Sequence, residues 1–142
     1  MGRNPNPKDR RLVDMSPTPD DTWWPDLPAE EEFEPWTQID DDAGFVQRLA
    51  YDQYQRLCEW AVIQMARRDG DWVKIAVYDT CHGKGVHRHL YNGDEERCDE
   101  NTLFAVHSYA DLEAGVDHAI ERVELHWQEN EREARRVSKR GR

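Results

Sequence analysis

Fourteen residues, Tyr78 to Tyr91 (YDTCHGKGVHRHLY), hold three histidines, a lysine, an arginine, an aspartate and two glycines. Packing alone does not call for such a set. Histidine has an ordinary pKa near neutrality, and glycine lets a backbone approach a ligand closely. The combination points to proton transfer, anion binding or metal ligation.

Each chemistry makes different demands. For a metal, His82, His87 and His89 form HxxxxHxH, with Asp79 and Cys81 as further donors, enough for zinc or another divalent ion. Lys84 and Arg88 stand beside these histidines and disfavour a bound cation, so no metal is assigned to the site, and metal binding for structure or regulation stays as a third reading. The Gly83-Lys84-Gly85 triplet lacks the GxxxxGKS or GxxxxGKT pattern of a phosphate-binding loop, and no cofactor is expected either. For metal-independent cleavage of a phosphodiester, a base must activate a 2′-hydroxyl, an acid must protonate the leaving oxygen, and cations must meet the charge on phosphorus. His87 and His89 could exchange the acid and base roles, with Lys84 and Arg88 as the cations. Asp79 would orient an imidazole and Tyr91 would stack on a base. Tyr78, His82, Gly83 and Gly85 would complete the binding surface. The competing structural reading makes this a polar strand and turn whose glycines satisfy backbone geometry and whose histidines are hydrogen-bonded or exposed. His107, His118 and His126 are scattered and read as structural.

The elements that position these residues follow from periodicity. Val86, Arg88 and Leu90 alternate with His87, His89 and Tyr91, which predicts a strand over Gly85 to Tyr91. Val86 and Leu90 would face the core. His87 and His89 would share the other face, about 7 Å apart along the strand. Before it, Asp69-Gly70 separates two runs rich in Trp, Val and Ile, which predicts a hairpin with strands near 58–67 and 71–79. From Gly44 to Leu57, the spacing of Val46, Leu49, Ala50, Tyr54 and Leu57 predicts a short amphipathic helix. Residues 92–101 read as a loop and Thr102 to Val106 as a short strand. Ser108 then opens a capping pattern with Asp111, and Leu112, Val116, Ala119, Ile120, Val123 and Trp127 recur at helical spacing. Arg135, Arg136, Lys139, Arg140 and Arg142 follow; they suit the negative end of a helix dipole and could also meet phosphate.

Composition sets the rest. The 142 residues carry a net charge of -11, but the acidity is concentrated: Ser16 to Asp42 holds ten Asp and Glu and no Lys or Arg. Residues 44–142 are nearly balanced, with eighteen acids and fifteen bases. All seven prolines fall in residues 1–43, a leader without hydrophobic periodicity that is expected to be largely disordered alone. Trp23, Trp24, Phe33 and Trp36 punctuate it, and aromatics among carboxylates can anchor in pockets while the acids face a basic rim. The leader therefore reads either as an arm folded back on its own domain or as a segment that binds a protein partner, an antitoxin or a basic-surfaced target, through residues 16–42. Cys58, Cys81 and Cys98 fit neither a disulfide framework nor a zinc knuckle and read as free thiols. No apolar run reaches the length of a membrane span, and no secretory signal is evident, so a cytoplasmic protein without membrane contact is expected.

The Tyr78-Asp79, Gly83-Lys84-Gly85 and His87-Arg88-His89 succession resembles the motif of the TumE family, small proteins described as toxin components of bacterial toxin–antitoxin modules. The resemblance extends over roughly residues 58–127, including Phe104 through Ser108 and the helix that follows. It implies a toxin-like domain. Similar blocks also occur in small proteins of phages and mobile elements. Two functions are thus expected of a single α+β domain at 44–137, in which three to four antiparallel strands pack on a long C-terminal helix before a basic tail at 138–142. One is action on RNA or a nucleotide through the histidine cluster. The other is non-catalytic binding, as by an antitoxin-like or phage-encoded inhibitor, with the acidic leader entering a basic groove.

Overall fold

The computed structural model describes residues 23–80, 85–99 and 101–138. They form a seven-stranded antiparallel sheet and one long helix, in the order β1 (Glu31–Phe33), β2 (Trp36–Asp40), β3 (Ala43–Tyr51), β4 (Leu57–Arg68), β5 (Asp71–Asp79), β6 (His87–Asn92), β7 (Glu95–Cys98) and α1 (Tyr109–Ala134). Strands β3 to β7 run as a meander, each paired with the next. Strands β1 and β2 both pair with β3, one along each half of its free edge.

The α+β class holds, with a larger sheet than the three to four strands expected. Three additions account for the difference. Residues 44–57 are not a helix: β3 takes their place, pairing Phe45 with Gln64 and Leu49 with Trp60. The helical spacing of Val46, Leu49 and Ala50 competes there with a period of two through Phe45, Gln47, Leu49 and Tyr51, and the buried Phe45, 1% exposed, decides for the sheet. Tyr54, counted as part of the apolar helix face, is 67% exposed in the connecting turn. The loop expected at 92–101 contains β7, entered by a tight turn in which Gly93 adopts a φ of 65°. The leader contributes as well: its described part, residues 23–43, contains β1 and β2.

The β4–β5 hairpin matches its expected position, and its two turn residues, Asp69 and Gly70, have φ of 55° and 87°. Such left-handed pairs suit the twist of adjoining strands. Residues 102–106 form an isolated bridge rather than a strand, with Val86 N donating to Phe104 O and Leu103 N to Val86 O, both at 2.8 Å. Gly85 makes this crossing possible: at φ 140° a Cβ would lie 2.6 Å from Thr102 Cγ2 and 2.7 Å from the Phe104 oxygen.

Helix α1 begins as its sequence predicts, with Ser108 Oγ accepting from Asp111 N at 3.1 Å. It packs on β4, β5 and β6. Leu112, Val116, Ala119 and Val123 close over Trp60, Val62, Tyr78, Val86 and Leu90 to form the core. Trp60 Nε1 also donates to the Leu112 carbonyl at 3.0 Å, tying β4 to the first helical turn. One sheet face is thereby covered. The opposite face carries the histidine-bearing surface.

Candidate functional site

Residues directly opposite each other in an antiparallel sheet share a face. Pairing of Asp79 with His87, Val77 with His89, His89 with Cys98 and Tyr91 with Glu96 therefore gathers all of these on the face away from α1. The expected alternation along β6 is observed: Val86 and Leu90 are fully buried towards the helix, while His87, His89 and Tyr91 point the other way.

His89 is the centre of this surface. Its Nδ1 lies 2.7 Å from Glu96 Oε2 and its Nε2 lies 3.1 Å from Asp79 Oδ1, so carboxylates from β7 and β5 hold both ring nitrogens. A carboxylate can only accept from an imidazole, and both nitrogens donate only when the ring is protonated. The bond to Asp79, with the charge of Asp79 and Glu96, accordingly raises the His89 pKa above 6.5, against the opposing effect of burial. When protonated, the ring is an imidazolium held between two carboxylates. Cys98 Sγ stands 3.9 Å from His89 Nε2.

His87 is held differently. Its Nδ1 is 3.3 Å from the Asp99 carbonyl and its Nε2 is 3.3 Å from the Thr102 hydroxyl. A neutral ring satisfies both contacts, with Nδ1–H donating to the carbonyl and Nε2 accepting from the hydroxyl. Tyr91 has the Lys74 ammonium 4.3 Å from its ring centroid, so one of its faces is already covered. Burial and the neighbouring Glu96 push its hydroxyl pKa up to about 12.

Two residues assigned to the site lie elsewhere. Arg88 projects to the helix side, where its Nε donates to Asp99 at 2.7 Å, its Nη1 to Asn130 at 2.8 Å, and its Nη2 approaches Glu133 at 2.8 Å. Tyr78 is 1% exposed, and its hydroxyl accepts from Asn130 Nδ2 at 3.0 Å. Asn130 also donates to Gln64, which donates onward to the Trp127 carbonyl. Both residues therefore belong to a buried polar network that joins sheet and helix. Strand alternation already separates Arg88 from its neighbouring histidines by half a period. Gly85 faces Thr102 and Phe104, as described above. His82, Gly83 and Lys84, along with Cys81, fall outside the described residues.

The partners of the site that sequence reasoning did not find are Glu96, Cys98 and Lys74. Glu96 and Cys98 sit in the stretch read as a loop, although the Asn92-Gly93 pair between HRHLY and EERC carries a hairpin signal. Among the described residues, no group of three His, Cys, Asp or Glu is placed to hold a metal ion. No described helix is long and apolar enough to cross a membrane.

Comparison with known protein families, curated proteins and solved structures found no match for this chain.

At the far edge of the sheet, the acidic segment is docked on its own domain. The Trp23 ring meets Tyr109 edge-on at 5.0 Å, and Asp26 N donates to the Tyr109 hydroxyl at 2.8 Å. Phe33 meets Tyr51 at 5.8 Å, and Trp36 crosses Gly44 to meet Trp72 at 5.0 Å. Arg48 pairs with Glu34 and Arg67 with Asp42, both at 3.2 Å. Phe33 and Trp36 nevertheless remain 56% and 43% exposed. Trp24 is also exposed.

Proposed function

We propose that this protein acts by binding a positively charged protein surface, with the acidic sheet edge as its contact. The observation that carries this reading is the pairing of both β1 and β2 with β3, which builds residues from the most acidic segment into the sheet. Residues 23–42 hold eight carboxylates and no lysine or arginine. Ordered strands display them without the entropic cost of ordering a flexible tail on binding. Phe33 and Trp36 stand among them as partly exposed aromatic anchors. This favours the inhibitor-like or antitoxin-like setting over the toxin-like one, and it uses the leader's aromatics as part of a rigid edge. A basic groove in a protein is the matching surface. Reversing charge at Glu30, Glu31 and Glu32 tests the reading through salt-dependent binding to an arginine-rich peptide.

A second reading, chemistry on RNA or a nucleotide, rests on His87 and His89 sharing a face with Asp79 beside them. Against it, His89 already donates towards two carboxylates, and Arg88 is engaged on the other side of the sheet. Asp79 and Glu96 offset the positive charge of His89 that would otherwise attract phosphate. Incubation of a fluorescent RNA oligonucleotide with the protein in a metal chelator decides this point. Cleavage that disappears in the His87→Ala, His89→Ala double variant, with the fold intact, supports catalysis; no cleavage by the intact protein counts against it.

A further inference from the structure

We infer that His89 is a protonation-controlled clasp on the β6–β7 hairpin, its imidazolium bridging Asp79 on β5 and Glu96 on β7. The ring links the two carboxylates, at 3.1 Å to Asp79 and 2.7 Å to Glu96, and the Tyr91 hydroxyl is a second hydrogen-bond partner of Glu96. A neutral imidazole has one N–H. It can serve Asp79 or Glu96, and the carboxylate left over then faces a nitrogen lone pair across a hydrogen-bonding distance. Loss of one proton thus changes two interactions at once: one hydrogen bond is broken, and the charge between two anions is removed.

The surroundings make β7 the element that responds. It has four residues and, among the described residues, pairs only with β6 and ends the sheet. Short edge strands open at lower free energy than central ones. From β5, Asp79 faces the ring and Lys74 lies over Tyr91; from β6, His87 and Tyr91 share its face; from β7, Glu96 and Cys98 approach it. Helix α1 packs on the opposite side of the sheet. Tyr91, with its hydroxyl pKa pushed up to about 12, keeps its proton across the range in which His89 titrates.

The sign follows from the raised folded pKa of His89. The clasp is fully closed below the ordinary histidine pKa of about 6.5 and opens as pH rises through the folded value. Opening loosens β7, leaving Glu96 to its Tyr91 contact, and makes the edge of β6 accessible for pairing with another strand. This state is separate from the acidic β1–β2 edge and does not depend on its binding role.

The test follows two quantities in the full-length protein between pH 5.5 and 9: the His89 ring titration by long-range proton–nitrogen NMR, and the amide exchange protection of Glu95 to Cys98, corrected for the intrinsic pH dependence of exchange. The expected result is at least a tenfold loss of β7 protection with the same midpoint as the His89 titration, while central β4 amides hold theirs. In Glu96→Gln, and independently in Asp79→Asn, the His89 midpoint falls and the protection step moves down with it. Protection of β7 that stays level through the His89 titration overturns the clasp. So does an opening midpoint that does not move with the His89 midpoint in either variant.

Discussion

Arg88 and Asn130 join sheet to helix, with Nη1 of Arg88 donating to Oδ1 of Asn130 at 2.8 Å. This contact sets the role of a residue whose type and neighbours suggest phosphate binding. Asn130 is fully buried and spends its amide donors on Gln64 and Tyr78, so Arg88 is the cation that supplies its Oδ1 with a donor. Replacing it by Met leaves Asn130 Oδ1 and Asp99 without their donor. The Arg88 side chain keeps 19% exposure, which places the expected loss at about 2–4 kcal/mol, somewhat below that for breaking a fully buried pair. Urea unfolding of Arg88→Met measures it. Arg88→Lys recovers little, since an ammonium cannot reproduce the guanidinium's two directed hydrogen bonds, to Asp99 and Asn130, together with its ion pair to Glu133.

Removal of residues 1–43 distinguishes an edge built into the sheet from a detachable leader. The deletion takes away β1 and β2, along with the contacts of Trp36 on Trp72 and Trp23 on Tyr109. The partly buried Trp23 and Ile39 pack against the core, so unfolding free energy falls by about 2 kcal/mol or more. The newly bare β3 edge also promotes association. Thermal unfolding and sedimentation of the truncated protein report both effects. An unchanged unfolding temperature with a monomeric product would mean that these strands are not integral to the sheet.

Stability should also carry the signature of His89. Because its pKa is higher in the folded chain than the ordinary value of 6.5, its contribution is complete below that pH and declines as pH rises through the folded value. The urea midpoint of the native protein therefore drops across that window. His89→Gln removes the drop, because glutamine donates through one nitrogen at every pH.

The fold was legible where local and long-range preferences agree. The Asp69-Gly70 turn, the capping Ser108 and the stripe from Leu112 to Trp127 mark their elements clearly, and alternation along β6 assigns Val86, His87, His89 and Leu90 to the correct faces. Residues 44–57 were ambiguous because Val46, Leu49 and Ala50 satisfy a helical period as well as a strand; pairing with β4, invisible locally, resolves them. Strands β1 and β2 are rich in acids and flanked by proline, so their composition resembles a disordered segment. Their order comes from the edge that β3 offers. The site suffered from the same limit: His89 and Asp79 stood out, but Glu96 reaches His89 only through the pairing of β6 with β7, and Arg88 was drawn to the histidines by sequence adjacency although alternation sends it to the helix.

The acidic edge is tested most directly by titrating a fluorescent arginine-rich peptide with the intact protein at low and at physiological salt, beside two variants. One is Glu30→Lys, Glu31→Lys, Glu32→Lys; the other is His87→Ala, His89→Ala. The account predicts binding by the intact protein that weakens with salt, a loss of at least about tenfold in the charge-reversed variant, and no change in the histidine variant. Equal binding by the charge-reversed and intact proteins, with both folded, would contradict it.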